Sequence, residues 1–432
     1  MRLLVLDHFF SHDIAALQLA CGAETSIKTL DSAYLRQAAL RILPASAASG
    51  LESMADPRYE RERKRWAHAL NSILRSEYRA WPFDALVAPS DTFFYVRDAP
   101  EACHQLGVPF VVIQKETTIS DSTMNELSKA VRRWAPPLAD WMTCCSKRNR
   151  EFWERCGYDA ERVDVTGQPR FDYYRHPELW PQRKDSQPTA LFFSYELSAY
   201  HPSGATGEHG AEAWGPLHRQ TEDRLWQLAR RGWKIKIKPH PQQLCGEEHR
   251  RMETAVRDLP KGSVEFVAAR ADARELIVTS DVVVGFQTTA LIEALTLGRP
   301  VVYTGWDPEA HRLCEELIPF PSWEGPVVVV SDPDDFVSAV EGARGACMSQ
   351  TEAQAADRIV DEYLGPIDGD ASRRALESTS AFIERYSESV CPAALARRSS
   401  LLSEPSWKHT SLRRGRRRLI ERIAKAVPSL RR

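Results

Sequence analysis

Two short stretches of this sequence place cations and hydroxyls where a phosphate could be held. Lys234-Ile235-Lys236-Ile237-Lys238-Pro239-His240-Pro241 reads as a strand of alternating Lys and Ile that ends in Lys-Pro-His-Pro. The two prolines restrict the backbone around His240, and the C-terminal edge of a strand is where open α/β sheets bind ligands. There His240 can donate to a phosphate oxygen and Lys238 adds charge. A purely structural histidine fits the same residues. The second stretch, Ser280–Val302, reads as a buried strand ending at Gly285, a polar turn, and a helix opening at Thr288 and Thr289. Hydroxyl residues cap the first N–H groups of a helix, and those same groups, at the positive end of the helix dipole, can bind phosphate. Glu293, about one turn on, can accept hydrogen bonds from a ribose. An ordinary capped βαβ unit is equally compatible with this pattern.

Further candidates sit at other predicted strand ends. Thr166-Gly167-Gln168-Pro169-Arg170 is a turn that can aim Arg170 at an anion as a two-pronged donor, or leave it as a surface arginine. Ser194 and Tyr195 end the first strand of the second half, where Ser194 can touch phosphate and Tyr195 fits either that contact or simple packing. Acid–base chemistry needs a carboxylate or imidazole facing these groups. His12 and Asp13 follow the first predicted strand, Asp91 the second, and Glu116 the third. His12, Asp13 and Asp91 also suit helix caps, and Glu116 a structural contact.

These residues depend on elements that alternate along the chain. Short β-branched runs (Leu3–Leu6, Ala85–Ala88, Phe110–Ile113, Trp141–Cys144, Val163–Val165) are interleaved with helical stretches such as Asp56–Ala80. The polar segment Pro181–Pro188 reads as a linker. The rhythm then restarts with Ala190–Phe193, Lys234–Ile237, Val264–Val267, Val282–Val284, Val301–Tyr303 and Val327–Val330. The expected fold class is α/β, GT-B-like: two Rossmann-like domains, residues 1–180 and 189–390, facing a cleft. The second carries closing helices over Thr351–Ser387, broken at Gly365–Gly369, and a basic amphipathic tail spans 405–432.

Composition sets limits on function. The 432 residues are 43% hydrophobic and 27% charged with a net charge of −2, which disfavours a nucleic-acid binder. From Trp407 to Arg432 there are ten Lys/Arg and one acid, leaving 47 basic against 58 acidic residues over 1–406. That tail suits an anionic membrane surface; a solubilising or partner-packing tail has the same composition. Nine scattered cysteines without a C-x-x-C pair predict thiols in a reducing compartment. The start carries no signal-peptide pattern and no stretch is apolar enough to span a bilayer. The expected location is cytoplasmic, peripheral at the inner membrane face if the tail binds there.

Four elements in order carry a resemblance: Thr166-Gly167-Gln168-Pro169-Arg170-Phe171-Asp172, Lys238-Pro239-His240-Pro241, Ser280–Val302, and Asp368-Gly369-Asp370-Ala371-Ser372-Arg373. The chain resembles GT-B transferases of bacterial surface and capsular polysaccharide synthesis, particularly the CDP-glycerol glycerophosphotransferase-like and capsule-type families, over about Val163–Arg374. The resemblance implies a glycosyltransferase whose second domain holds a nucleotide-activated donor, cytidine or uridine, with a glycan or lipid-linked acceptor. It implies that His240, with Lys238 beside it, contacts donor phosphates, that Thr288 and Thr289 hold phosphate, that Glu293 binds ribose and that Arg170 neutralises the leaving group. Thr-Thr replaces the family's usual Ser-Thr, and the Gly-Thr-Pro-Leu-Lys-like acceptor element is absent, which weakens polyol-phosphate transfer. Epimerase and non-catalytic binding readings also remain. No cofactor is expected. No convincing Asp-x-Asp loop is present, so no obligatory divalent metal is expected either.

Overall fold

The computed structural model describes residues 1–115, 119–183, 186–197, 213–240, 247–268 and 270–390. The candidate Glu116 and the tail 405–432 lie outside the described residues.

Among the described residues, twelve strands form two sheets, and every pair of these strands is parallel. β1 (Arg2–Leu6), β2 (Ser26–Leu30), β3 (Ala85–Ala88), β4 (Phe110–Ile113), β5 (Trp141–Cys144) and β6 (Val163–Val165) build the first, in the order β2-β1-β3-β4-β5-β6. β7 (Thr189–Phe193), β8 (Lys234–Lys238), β9 (Val264–Phe266), β10 (Val282–Gly285), β11 (Val301–Thr304) and β12 (Val327–Val330) build the second, in the order β12-β11-β10-β7-β8-β9. The second is the strand order of a six-stranded Rossmann sheet. Runs such as Val282-Val283-Val284 and Phe110–Ile113 are buried along their whole length because helices cover both faces. The architecture is therefore the expected GT-B-like pair of α/β domains. β2 was not expected. Its sequence, Ser-Ile-Lys-Thr-Leu, lies on the sheet edge and fully buries only Leu30, so it lacks the apolar run that marks its neighbours.

The segment expected to close the second domain divides. The helix Gln350–Tyr363 contributes Ala356, Ile359, Val360 and Tyr363 to the second core. The helix Ala371–Ser389 crosses back, and its Ala375, Leu376 and Ile383 pack with Leu3, Val5 and Ile14 on the free face of the first sheet. Phe382 stacks on Trp141 at 5.1 Å, and the Trp141 indole donates to Ser378 at 2.9 Å.

One buried acid in the first domain gives a stability test. Asp98 sits at the start of the helix Ala99–Leu106 without capping it. Burial pushes its carboxyl up to about 6, against Arg63 and with Glu101 adding to the rise. The folded chain thus holds this proton more tightly than the unfolded one, and stability falls as pH rises from about 4 through 6. Asp98→Asn is expected to raise Tm at pH 8, by about 1–3 kcal/mol of stability, and to leave it unchanged near pH 3, below the unfolded carboxyl's own range. Equal Tm values for the two proteins at both pH values would refute this.

Candidate functional site

Each sheet reverses its strand order once, between β1 and β3 in the first and between β7 and β10 in the second. Ligands of open α/β sheets bind outside the C-terminal strand ends at such points. The first crevice is bordered by the segment after β1, the second by the segments after β7, β8 and β10. The ends of β8 and β10 flank β7, two strand spacings or about 10 Å apart.

A network of charged and polar groups joins the two crevices. Asp13 lies inside the first turn of the helix Ser11–Ala20, not at its cap as expected. It is only 1% exposed. Its Oδ1 accepts from the Gln168 side-chain amide and, at 3.2 Å, from the backbone N–H of Arg170. Burial raises its pKa against the pull of Arg170 and Gln168. From the second domain, Arg274 donates to the carbonyl of Arg170 at 2.7 Å and to His12 Nδ1 at 3.0 Å. Asp272 takes Nε and Nη2 of the same guanidinium, at 2.7 Å for Nη2. Arg274 also lies 4.5 Å from the Tyr173 ring centroid.

His12 was expected as a base, and the network assigns it otherwise. Arginine only donates, so His12 Nδ1 must accept, and the neutral ring carries its proton on Nε2. Burial, with Arg274, lowers its pKa against Asp272, which keeps it neutral at pH 7. The remaining ring nitrogen of His12, Nε2, is therefore a hydrogen-bond donor.

On the second domain's side, Glu293 is 6% exposed and accepts from the Tyr174 hydroxyl at 2.7 Å. Burial pushes its carboxyl up, opposed by Arg170, Tyr174 and Arg274. One of its oxygens is thus already committed, which narrows the expected ribose contact. Lys238 is half-buried at the end of β8; burial lowers its pKa and Glu293 and Asp272 raise it. His240 is half-buried, its pKa lowered by burial and by Lys238. The electrostatic couplings of Glu293 gather Arg170, Arg274 and Asp272 around one carboxylate, and Lys238 is coupled to it too.

Three expected phosphate contacts are corrected or narrowed. The backbone N–H of Ser194 donates to Lys238 O at 3.0 Å, and its hydroxyl lies 2.8 Å from His218 Nε2, so both are engaged within the domain. Tyr195 is core packing: it is 1% exposed with its ring 4.9 Å from His218 and 5.4 Å from Phe286. Thr288 caps the helix Thr289–Leu295, its hydroxyl accepting from Ala290 N–H at 3.4 Å, while half-buried Thr289 begins that helix. The turn before them is fixed by Gln287. Its backbone is left-handed, with φ of 46°. Its side chain bonds the Tyr303 hydroxyl and both backbone groups of Ile318 at 2.9–3.0 Å. Asp91, which suited a cap, instead accepts from the backbone N–H groups of Leu138 and Ala139.

Two motifs meet in space. The carboxylate of Asp172 accepts from Ala371 and Ser372 N–H, both at 2.8 Å, and so caps the helix that crosses back. Arg374 Nε donates to Thr166 O at 2.9 Å. Sequence reasoning missed Arg274, Asp272 and Tyr174. The available signal was Asp272-Ala273-Arg274 opening a helix just after β9. It also missed Phe9, which follows β1 with left-handed φ of 49° and 73% exposure, Lys115 lying 5.5 Å from its ring centroid. Among the described residues, no group of three or more His, Cys, Asp or Glu side chains is placed to hold a metal ion. No described helix is long and apolar enough to cross a membrane.

No protein-family model and no curated protein matches this chain. Solved structures do match. UDP-GlcNAc 2-epimerase from Neisseria meningitidis, bound to UDP-GlcNAc, gives a TM-score of 0.51 at 14% identity, covering 88% of this chain and 100% of that one. S. aureus MnaA with UDP gives 0.54 at 12%, covering 89% and 97%. The wall teichoic acid polymerase TagF gives 0.50 at 11%, covering 89% of each. At these identities the likeness is one of fold, the two-domain GT-B-like arrangement.

Proposed function

We propose that this chain is a glycosyltransferase that moves a sugar from a nucleotide-activated donor to a glycan or lipid-linked acceptor of the cell envelope, without an obligatory divalent metal. The observation that carries this reading is the hydrogen-bonded network in which Arg274 of the second domain bonds His12 and the Arg170 carbonyl while Asp13 holds the Arg170 N–H, with Glu293 electrostatically coupled to Arg170 and Arg274. When a sugar leaves a nucleotide, negative charge grows on the departing phosphate, and fixed cations and N–H donors must stabilise it. Lys238, His240 and the Arg170 guanidinium do so here, with Thr288 and Thr289 at the neighbouring helix start. Arg274 is spent on Asp272, His12 and the Arg170 carbonyl, so it positions the cluster. Asp13 is the general base in this reading. Burial has raised its pKa, which strengthens it as a proton acceptor, and both of its hydrogen bonds fall on Oδ1, leaving Oδ2 for the acceptor's proton. Glu116 is the alternative base. The basic tail would bring the chain to an anionic membrane face.

Two other readings have specific support. The likeness to the N. meningitidis enzyme favours a sugar-nucleotide epimerase, and that to TagF favours transfer of a polyol phosphate from a CDP donor. A thermal-shift panel of UDP, GDP, CDP, CMP and dTDP identifies the nucleotide, since a ligand of the native state raises Tm with affinity. The matching sugar nucleotide is then incubated without acceptor, in excess chelator. A transferase leaves the sugar's configuration intact until an acceptor is supplied, then turns over with chelator present. An epimerised sugar nucleotide without acceptor overturns the proposal in favour of the second reading. Turnover that returns only with Mg²⁺ or Mn²⁺ overturns metal independence.

A further inference from the structure

A groove of ≈770 Å³ runs along the outer surface of the first domain, lined by Ile42, Glu60, Arg61, Lys64, Arg65 and His68. None of these residues belongs to the candidate site. The helix Glu60–Ala80 buries Trp66, Leu70, Leu74 and Tyr78, a stripe at four-residue spacing. Arg61, Lys64, Arg65 and His68 fall on the opposite face, and all four are exposed. Lys64 is matched by Glu60 at 2.6 Å. Arg61, Arg65 and His68 have no ion-pair partner among the described residues. From the first domain's helix Ser32–Leu40, Ile42 just past its end lines the groove; Leu40, two residues before it, is 36% exposed, and Arg41 between them is exposed. Cations thus border an apolar edge, on a chain whose residues 1–406 carry eleven more acids than bases. The attraction is local to this face. A soluble polyanion would need only the charges. Cations near an exposed Leu40 and a half-buried Ile42 match the phosphate level and acyl boundary of a lipid leaflet.

We propose that this face docks on an anionic membrane surface, with lipid phosphates on Arg61, Lys64 and Arg65 and with Leu40 and Ile42 at the acyl boundary. The contact is separate from the tail and independent of the reaction catalysed.

The test is co-sedimentation of the full chain with vesicles of phosphatidylcholine containing about 30% phosphatidylglycerol. The variant R61E/K64E/R65E is expected to lower vesicle affinity by about a hundredfold, on the scale of the attraction of each cation for an anionic leaflet. R132E/R133E, an exposed pair on another helix, is expected to leave it unchanged. All three sites of the first variant are exposed, so its Tm should match the wild type. An unchanged affinity means the tail alone binds and overturns the proposal. So does equal loss in both variants, which reports net charge only, or a loss seen with duplex DNA but not with vesicles. Leu40→Asp, which keeps every cation, is expected to weaken binding as well; full retention overturns the apolar half of the contact.

Discussion

Arg170→Ala is expected to cut kcat/KM with the nucleotide-sugar donor by about 10²–10³-fold, the usual cost of removing one fixed donor from a site where charge develops. Tm should barely move. The separation follows from how Arg170 is built in. Its part in the interdomain network is played by the backbone: the N–H donates to Asp13 and the carbonyl accepts from Arg274. An alanine keeps both bonds. What it removes is the guanidinium, which lies 4.9 Å from the Phe171 ring centroid and is electrostatically coupled to Asp13 and Glu293. Arg170→Lys is expected to recover only part of the loss, because an ammonium cannot bind a phosphate with a planar fork. The check is steady-state kinetics beside a thermal melt. A variant with unchanged kcat/KM removes Arg170 from the site; one with collapsed Tm assigns the residue to structure.

Gly365→Ala should do the reverse and unfold the chain. Gly365 has φ of +81°, and a methyl group there would lie 1.7 Å from the carbonyl oxygen of Cys145. Backbone cannot yield by that much without separating the crossing segment from the ends of β5 and β6. The expected destabilisation exceeds about 4 kcal/mol, in the range reserved for gross steric conflict. Gly232→Ala is the control. Its φ is +91° but nothing lies within 4 Å of the added carbon, so it isolates backbone strain, worth about 1 kcal/mol. Soluble yield and the midpoint of thermal inactivation measure both. Similar values for the two variants would show that the close approach to Cys145 carries no weight.

The sequence made the local parts of this molecule legible. Apolar runs bounded by turn residues marked every described strand except β2, and strand ends followed by Pro, Gly, His or Thr marked the crevices. What failed was anything set by partners distant in the chain. Arg274 and His12 lie 262 positions apart, and no periodicity announces that they touch. The carboxylate that caps the last helix is Asp172, 199 positions away from Ala371. Tyr195 and Ser194 were placed correctly at a strand end, but position did not disclose that their side chains turn inward to Phe286 and His218. Asp13 was picked out as a chemical group, while its titration is set by burial and by Gln168 and Arg170, 155 and 157 positions away.

The return of Ala371–Ser389 to the first sheet has a bearing on biosynthesis. As the polypeptide leaves the ribosome, β1 through β6 emerge while Leu3, Val5 and Ile14 still lack the cover that this last helix supplies. The amino-terminal lobe therefore emerges with an apolar face that is completed only once the last helix has been made. It waits, with sticky surface showing, for the other lobe to be made, and a nonsense mutation between codons 166 and 371 should yield an insoluble product even though the first lobe's strands are all present.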